Sequence, residues 1–272
     1  MKETLQSKLK IKYMLKATLF CIVFTAIFIT FSFSKSLVPG KFERLAHGIL
    51  GTLAAVITTF LFLKFDKKSF AEIGLTFKKT TFTKFFLGVL FGIVLMVLSV
   101  LGVIYFSDFK IDLNTHSNIP NFIFLTLPFI PLAFMEEVAF RAYPLQLLKD
   151  KTGIRISIIV TSILFASYHI ANGWTIQNSF LGAGVWGILY GIAAIYSDGI
   201  SMPTGIHYAA NVTTSAFGIS NNSFNIFTLK QKNGDTLENF KSSELMTLIP
   251  QLAILIFGIF CMERYLRKKN YR

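Results

Sequence analysis

The stretch FIFLTLPFIPLAFMEEVAFRAYPLQLL, residues 122–148, decides how this chain is read. It is long and apolar enough to cross a lipid bilayer, yet Glu136, Glu137 and Arg141 lie inside it. An ionisable group at the centre of a membrane costs about 3 kcal/mol or more, so such groups face a protein interior or a water-filled cavity and mark function. Neighbouring helix positions point about 100° apart, so the two glutamates have different tasks. Glu137 and Arg141 stand one turn apart on a shared face, where they can pair and leave Glu136 free to point elsewhere. Pro120, Pro128 and Pro131 precede the acids. Each proline removes a helix donor and kinks the axis, so a short interfacial piece is expected before a span that starts near Pro131.

Outward from that stretch the composition is of one kind. The chain has 272 residues, 53% of them hydrophobic, with 30 Phe and a positive mean hydropathy, which predicts a polytopic membrane protein with no soluble domain. Apolar runs of about 20 residues suffice to cross a hydrocarbon core as helices. Eight are read, over residues 15–33, 45–63, 84–106, 122–148, 154–171, 178–196, 201–218 and 245–263. The expected fold is therefore all-α, a bundle of about eight transmembrane helices forming a single domain over residues 1–272, with a motif-bearing core over 131–216. Lys2, Lys8, Lys10, Lys12 and Lys16 precede the first run like a signal-peptide flank, but no small-residue cleavage site follows, so it is read as a retained anchor.

A net charge of +13 is what a nucleic-acid-binding protein carries, but here the basic residues cluster in loops flanking the apolar runs. That pattern follows the positive-inside rule and makes the lipid bilayer, not nucleic acid, the expected partner. The lysine-rich N-terminus, Lys64, Lys67, Lys68, Lys78, Lys79, Lys149, Lys151, Arg155 and the basic C-terminus fall on one side. Both termini are thus expected in the cytoplasm. The abundance of Lys, Ile, Phe and Asn is that of an AT-rich bacterial genome, which makes the expected location the cell membrane of a bacterium.

Among the connections, residues 66–84 read as an amphipathic loop in which Phe70, Ile73 and Leu75 dip into the membrane interface. Residues 219–244, rich in Asn, Ser and Lys, read as a mobile extracytoplasmic loop. Gly88 with Gly92, and Gly187 with Gly191, are small-residue pairs that let helices approach closely. Cys21 and Cys261 are expected as small buried hydrophobes, His47 as a packing residue, His116 and Asp198 as solvated, and Trp174 and Trp186 as interface or packing aromatics.

Two further polar pairs stand inside apolar runs: Phe165 with His169, and His207 with Asn211, the latter after a Pro203-Thr204-Gly205 turn. Either alone is an ordinary hydrogen-bonding pair in a bundle. Together with Glu136 they supply one carboxylate and two imidazoles, the minimum set for activating a water. Two versions of that chemistry are open. A divalent metal, zinc above all, held by His169, His207 and a carboxylate would lower the pKa of its bound water. Without metal, Glu136 would act as the base directly, with Asn211 or His207 stabilising the oxyanion.

At these residues the chain resembles the CPBP intramembrane metalloprotease family, which includes the CAAX prenyl endopeptidases and many bacterial Abi-type proteins. The resemblance rests on Glu136-Glu137-xxx-Arg141, Phe165-xxx-His169 and His207-xxx-Asn211, in that order on three separate runs. It implies a catalytic set of Glu136, Glu137, His169 and His207, supported by Arg141 and Asn211. It also implies an endopeptidase acting on a membrane-associated protein or peptide. One departure is visible: members often carry a glycine after the motif arginine, and this chain has Ala142. Bacterial relatives are associated with bacteriocin self-immunity, so a non-catalytic membrane adaptor or immunity protein is the alternative reading. A transporter relaying protons through its carboxylates ranks below both, because the spans show no evident inverted repeat. The charge count places His169 in the outer half of the membrane.

Overall fold

In hydrocarbon no water satisfies the backbone, so each apolar run must close its own hydrogen bonds as a helix. The computed structural model describes residues 2–219, 224–231 and 244–270 and shows that outcome. Helix α1 spans Lys2–Ser32, α2 Glu43–Asp66 and α3 Thr81–Phe106, followed by strand β1, Phe109–Leu113. Helices α4 (Ile119–Thr126), α5 (Phe129–Glu137) and α6 (Tyr143–Thr152) are pieces of one broken span, and α7 covers Ile154–Ala171. Helix α8 (Val185–Ser197), α9 (Ser201–Ala216), strand β2 (Phe227–Gln231) and α10 (Glu244–Asn270) complete the order.

Among the described residues, seven helical stretches are long and apolar enough to cross a membrane, which makes the chain an all-α multi-pass membrane protein. The seventh expected span, residues 201–218, is corrected: α9 has only 16 residues. At a rise of 1.5 Å per residue it reaches about 24 Å, short of a core of about 30 Å. It is instead a central helix, with Pro203, Gly205, Ile206, His207, Ala209 and Ala210 all buried.

What holds α9 in the centre is a seam of small residues against α3. A Cβ added at Gly88 would meet the Met202 carbonyl oxygen, and one at Gly205 the Phe85 carbonyl oxygen. At Gly92 the added atom would lie 2.7 Å from the Ala209 Cβ. The backbones touch, as the Gly88–Gly92 spacing predicts. Gly102, further along α3, meets nothing within 4 Å. Gly205→Val is therefore expected to destabilise the protein by about 3 kcal/mol or more through overpacking against backbone, while Gly102→Ala leaves the melting temperature in detergent unchanged. Equal melting temperatures for both variants would refute the seam.

The span carrying the acids is broken as its prolines require. The chain leaves α4 at Leu127 and re-enters helix after Pro128. A π-helical turn then covers Val138–Ala142, ahead of Pro144 in the first turn of α6. Pro144 offers no N–H to the Phe140 carbonyl and its ring would clash there, and a widened turn relieves both problems. A second π-helical segment, Asn178–Gly184, precedes α8.

Two loop readings change. In residues 66–84 the apolar side chains turn toward the bundle: a 3-10 turn, Phe70–Ile73, is fixed by Glu72 accepting from the Ser69 N–H at 2.6 Å and its hydroxyl at 2.8 Å. This turn buries Ile73 and packs Phe70 and Leu75 against the bundle core. Part of residues 219–244 is paired, since β2 forms an antiparallel ribbon with β1 in the register Ile111↔Leu229. The rest of that loop, residues 220–223 and 232–243, falls outside the described residues. His47 packs against the edge of the Phe28 ring with centroids 4.7 Å apart, as a packing residue should. At one end of the bundle Asp66 ties three helices together, pairing with Lys16 of α1 and accepting from the Tyr143 hydroxyl of α6 at 2.7 Å.

Candidate active site

Helix α5 ends at Glu137, just before the π-helical turn, so Glu136 and Glu137 leave the same helical turn in different directions. Glu137 is fully buried and makes two contacts. Its Oε1 accepts from His207 Nδ1 at 2.9 Å, and its Oε2 lies 3.5 Å from Arg141 Nε. The guanidinium is itself fully buried and rests over the Phe165 ring, 4.2 Å from its centroid, and over Tyr190 at 5.3 Å. Its Nη2 faces the Gly187 carbonyl at 3.4 Å. A Cβ at position 187 would come within 3.2 Å of that same nitrogen. The expected Glu137–Arg141 pair is thus present, and the glycine of α8 makes room for it.

Glu136 turns the other way, into a cavity of about 570 Å³ that it lines together with Phe165, His169, Tyr190, His207 and Asn211. Its Oε2 is buried and makes no hydrogen bond, and it lies 3.5 Å from His207 Nε2. The imidazole of His207 is held between the two acids and stacks on Tyr190, centroids 4.6 Å apart with planes inclined by 15°. His169 Nδ1 lies 2.9 Å from the Phe165 carbonyl. A carbonyl only accepts, so Nδ1 is the donor, and in the neutral ring Nε2 is the nitrogen left without a proton. All three motifs therefore reach one cavity, the first through Glu136. Arg141 and Glu137 lie behind its wall. A larger groove of about 620 Å³, lined by Ile49, Leu53, Phe82, Phe86, Ile130 and Phe134, holds none of the motif residues.

Two carboxyl groups and one guanidinium cluster here, with the His207 ring between the two acids. If the His207 Nδ1 proton is given to Glu137, Nε2 and Glu136 Oε2 confront each other as two acceptors. A proton, a water or a cation must lie between them. A shared metal would also fit the 3.5 Å spacing of this pair, since ligand bonds of about 2 Å in a tetrahedral shell put donors roughly that far apart. The set stops there: among the described residues no three His, Cys, Asp or Glu side chains are grouped to hold an ion. A closed zinc site, with four protein ligands, does not fit these residues as folded.

Three lining residues escaped the sequence reading. Tyr190 orients His207 by stacking, but a tyrosine in an apolar run has no signal that separates it from packing. Trp174 sits against His169 with ring centroids 4.6 Å apart, so it belongs to the site rather than only to the interface. Gln251 lines the cavity from α10, far from any motif in sequence.

Residues 118–213 match the family model described as Rce1-like, Type II CAAX prenyl endopeptidase. All six motif residues, from Glu136 to Asn211, fall inside the matched stretch. The match, over about a third of the chain, agrees with the resemblance that the motifs carry. No curated protein matches the chain.

Proposed function

We propose, with the Rce1-like stretch as premise, that this chain is an intramembrane endopeptidase that hydrolyses a peptide bond of a membrane-associated protein or peptide. The observation that carries the reading is Glu136: a buried carboxylate on the cavity wall, one oxygen without a hydrogen bond, sharing that wall with two imidazoles and the Asn211 amide. In this mechanism Glu136 Oε2 takes a proton from a water while the bare Nε2 of His169 helps to orient it. The water oxygen attacks the scissile carbonyl carbon. The oxyanion that forms is met by the N–H of the Asn211 amide, and by Nε2–H of His207 once that ring carries both protons, while Glu137 and Tyr190 hold the ring in place. Glu136 then returns its proton to the amide nitrogen, and the C–N bond breaks. Arg141 touches no substrate and acts as a positioning residue for Glu137.

The metal-bound version, with zinc on His169 and His207, competes for the same water. Zinc bound there would supply Lewis-acid activation. Protein purified without chelators should hold well under one equivalent of metal, and a chelator should leave peptide cleavage unchanged. Loss of cleavage on chelation, restored by zinc, would overturn the metal-free version in favour of the other. The cellular setting proposed is the plasma membrane with both termini in the cytoplasm, and reporter fusions after residue 174 test it.

A further inference from the structure

The groove of about 620 Å³ that holds none of the motif residues has a use of its own. Half-buried Ile130 and Phe134 of α5 and buried Thr204 of α9 form its floor, and exposed Leu53, Phe82 and Phe86 form its rim. The hydroxyls at its depth are spent within their own helices: Thr52 donates to the Gly48 carbonyl at 2.7 Å and Thr204 to the Ile200 carbonyl at 2.7 Å. A peptide backbone lying there would leave its N–H and C=O groups unpaired, which is costly, whereas a hydrocarbon chain asks for no partner.

The groove also has a direction. Helices α3 and α9 run parallel, since Gly88 packs at Met202 and Gly92 at Ala209. Thr81 and Ser201, both on its lining, therefore mark the start of the two helices at one end of the bundle. From that end the groove reaches Thr52 and Leu53, near the middle of the 24-residue α2. An occupant thus runs from one membrane surface to about mid-depth, the reach of a single-leaflet tail and half of what a spanning helix needs. The surface end is basic: Lys78, Lys79 and Lys84 surround Thr81 in sequence. Lys78 pairs with Asp198 at 3.2 Å, and Lys84 donates to the Ser197 carbonyl beside it. Lys79 is exposed and unpaired among the described residues. Three ammonium groups there face one carboxylate.

We propose that this groove is a binding site for an anionic phospholipid, with one acyl chain along Phe82, Phe86 and Phe134 and the phosphate at Lys79 and Lys84. Phe134 stands two residues before Glu136, so the tail packs on the helix that carries the candidate base. The site is separate from the catalytic cavity, and the inference goes beyond the endopeptidase reading and stands without it.

The test titrates the full chain in detergent micelles with phosphatidylglycerol or phosphatidylcholine and counts bound lipid by native mass spectrometry. Each lysine near a membrane surface is worth about fivefold against an anionic lipid, and Asp198 offsets one of the three, so one phosphatidylglycerol should bind roughly 25-fold more tightly than phosphatidylcholine. Lys79→Gln should weaken phosphatidylglycerol about fivefold and leave phosphatidylcholine unchanged. Ile49→Trp fills the place of the tail and should weaken both lipids, whereas Leu98→Trp, on α3 outside the groove, should weaken neither. All three variants change exposed side chains, so each should melt near wild type. Equal wild-type affinities for the two lipids, or phosphatidylglycerol binding that neither Lys79→Gln nor Ile49→Trp moves, would mean lipid of the surrounding annulus only and overturn the site. A dimer in the same spectra that Ile49→Trp abolishes would give the groove to a second copy of the chain and overturn it as well.

Discussion

Glu136→Gln is expected to lower peptide hydrolysis by about 10²–10⁴-fold, the range a positioned general base contributes, and to leave the melting temperature in detergent near that of wild type. Glu136 is 7% exposed and its Oε2 has no hydrogen-bond partner, so an amide of the same shape breaks no hydrogen bond at that oxygen. What it removes is the ability to hold a proton between attack and departure. His169→Ala should lower the rate as well, by withdrawing the bare imidazole nitrogen from the same wall. Purified variants assayed on one cleaved peptide, with circular dichroism beside the kinetics, give the result. Wild-type turnover in Glu136→Gln would sink the base assignment. Cells in which both variants retain full function would show that the cluster serves an adaptor, the alternative that the sequence leaves open.

The site was legible in the sequence because charge inside an apolar run is rare enough to be read locally. Glu137 and Arg141 at one-turn spacing predict an ion pair, and the pair is there, 3.5 Å apart. The bundle was legible through the length of its apolar runs. The errors came where tertiary context overrides local pattern. Residues 201–218 read as a span because they are apolar, yet α9 is apolar on account of being buried among helices, and a 16-residue helix can be central without crossing the core. Ile73 read as an interfacial residue, but the Ser69–Glu72 capping box turns the chain and buries it in the bundle. Two contributions had no local signature. Tyr190 stacks on His207 only because α8 and α9 are neighbours, and Gln251 reaches the cavity from a helix 40 residues beyond Asn211.

Arg141→Met should be the most destabilising single substitution in the site, at about 3–5 kcal/mol, the cost of stranding one member of a buried ion pair. Both side chains of the Glu137–Arg141 pair are fully buried, so no water reaches Glu137 once the guanidinium is gone. Methionine keeps the length and fills the space between Phe165 and Tyr190, which confines the loss to charge and hydrogen bonding. The double variant Glu137→Gln/Arg141→Met should recover most of that stability, because the stranded charge is removed and a glutamine oxygen still accepts from His207 Nδ1. Non-additivity of 2 kcal/mol or more, roughly the upper range for contacting pairs, is the expected reading from chemical unfolding in detergent. Arg141→Lys should fall between the single and double variants, since an ammonium keeps the charge but lacks the planar fork that lies on Phe165 while facing both Glu137 and the Gly187 carbonyl. Additive losses across the cycle would mean that the guanidinium acts by packing alone, and that Glu137 is positioned by His207 without it.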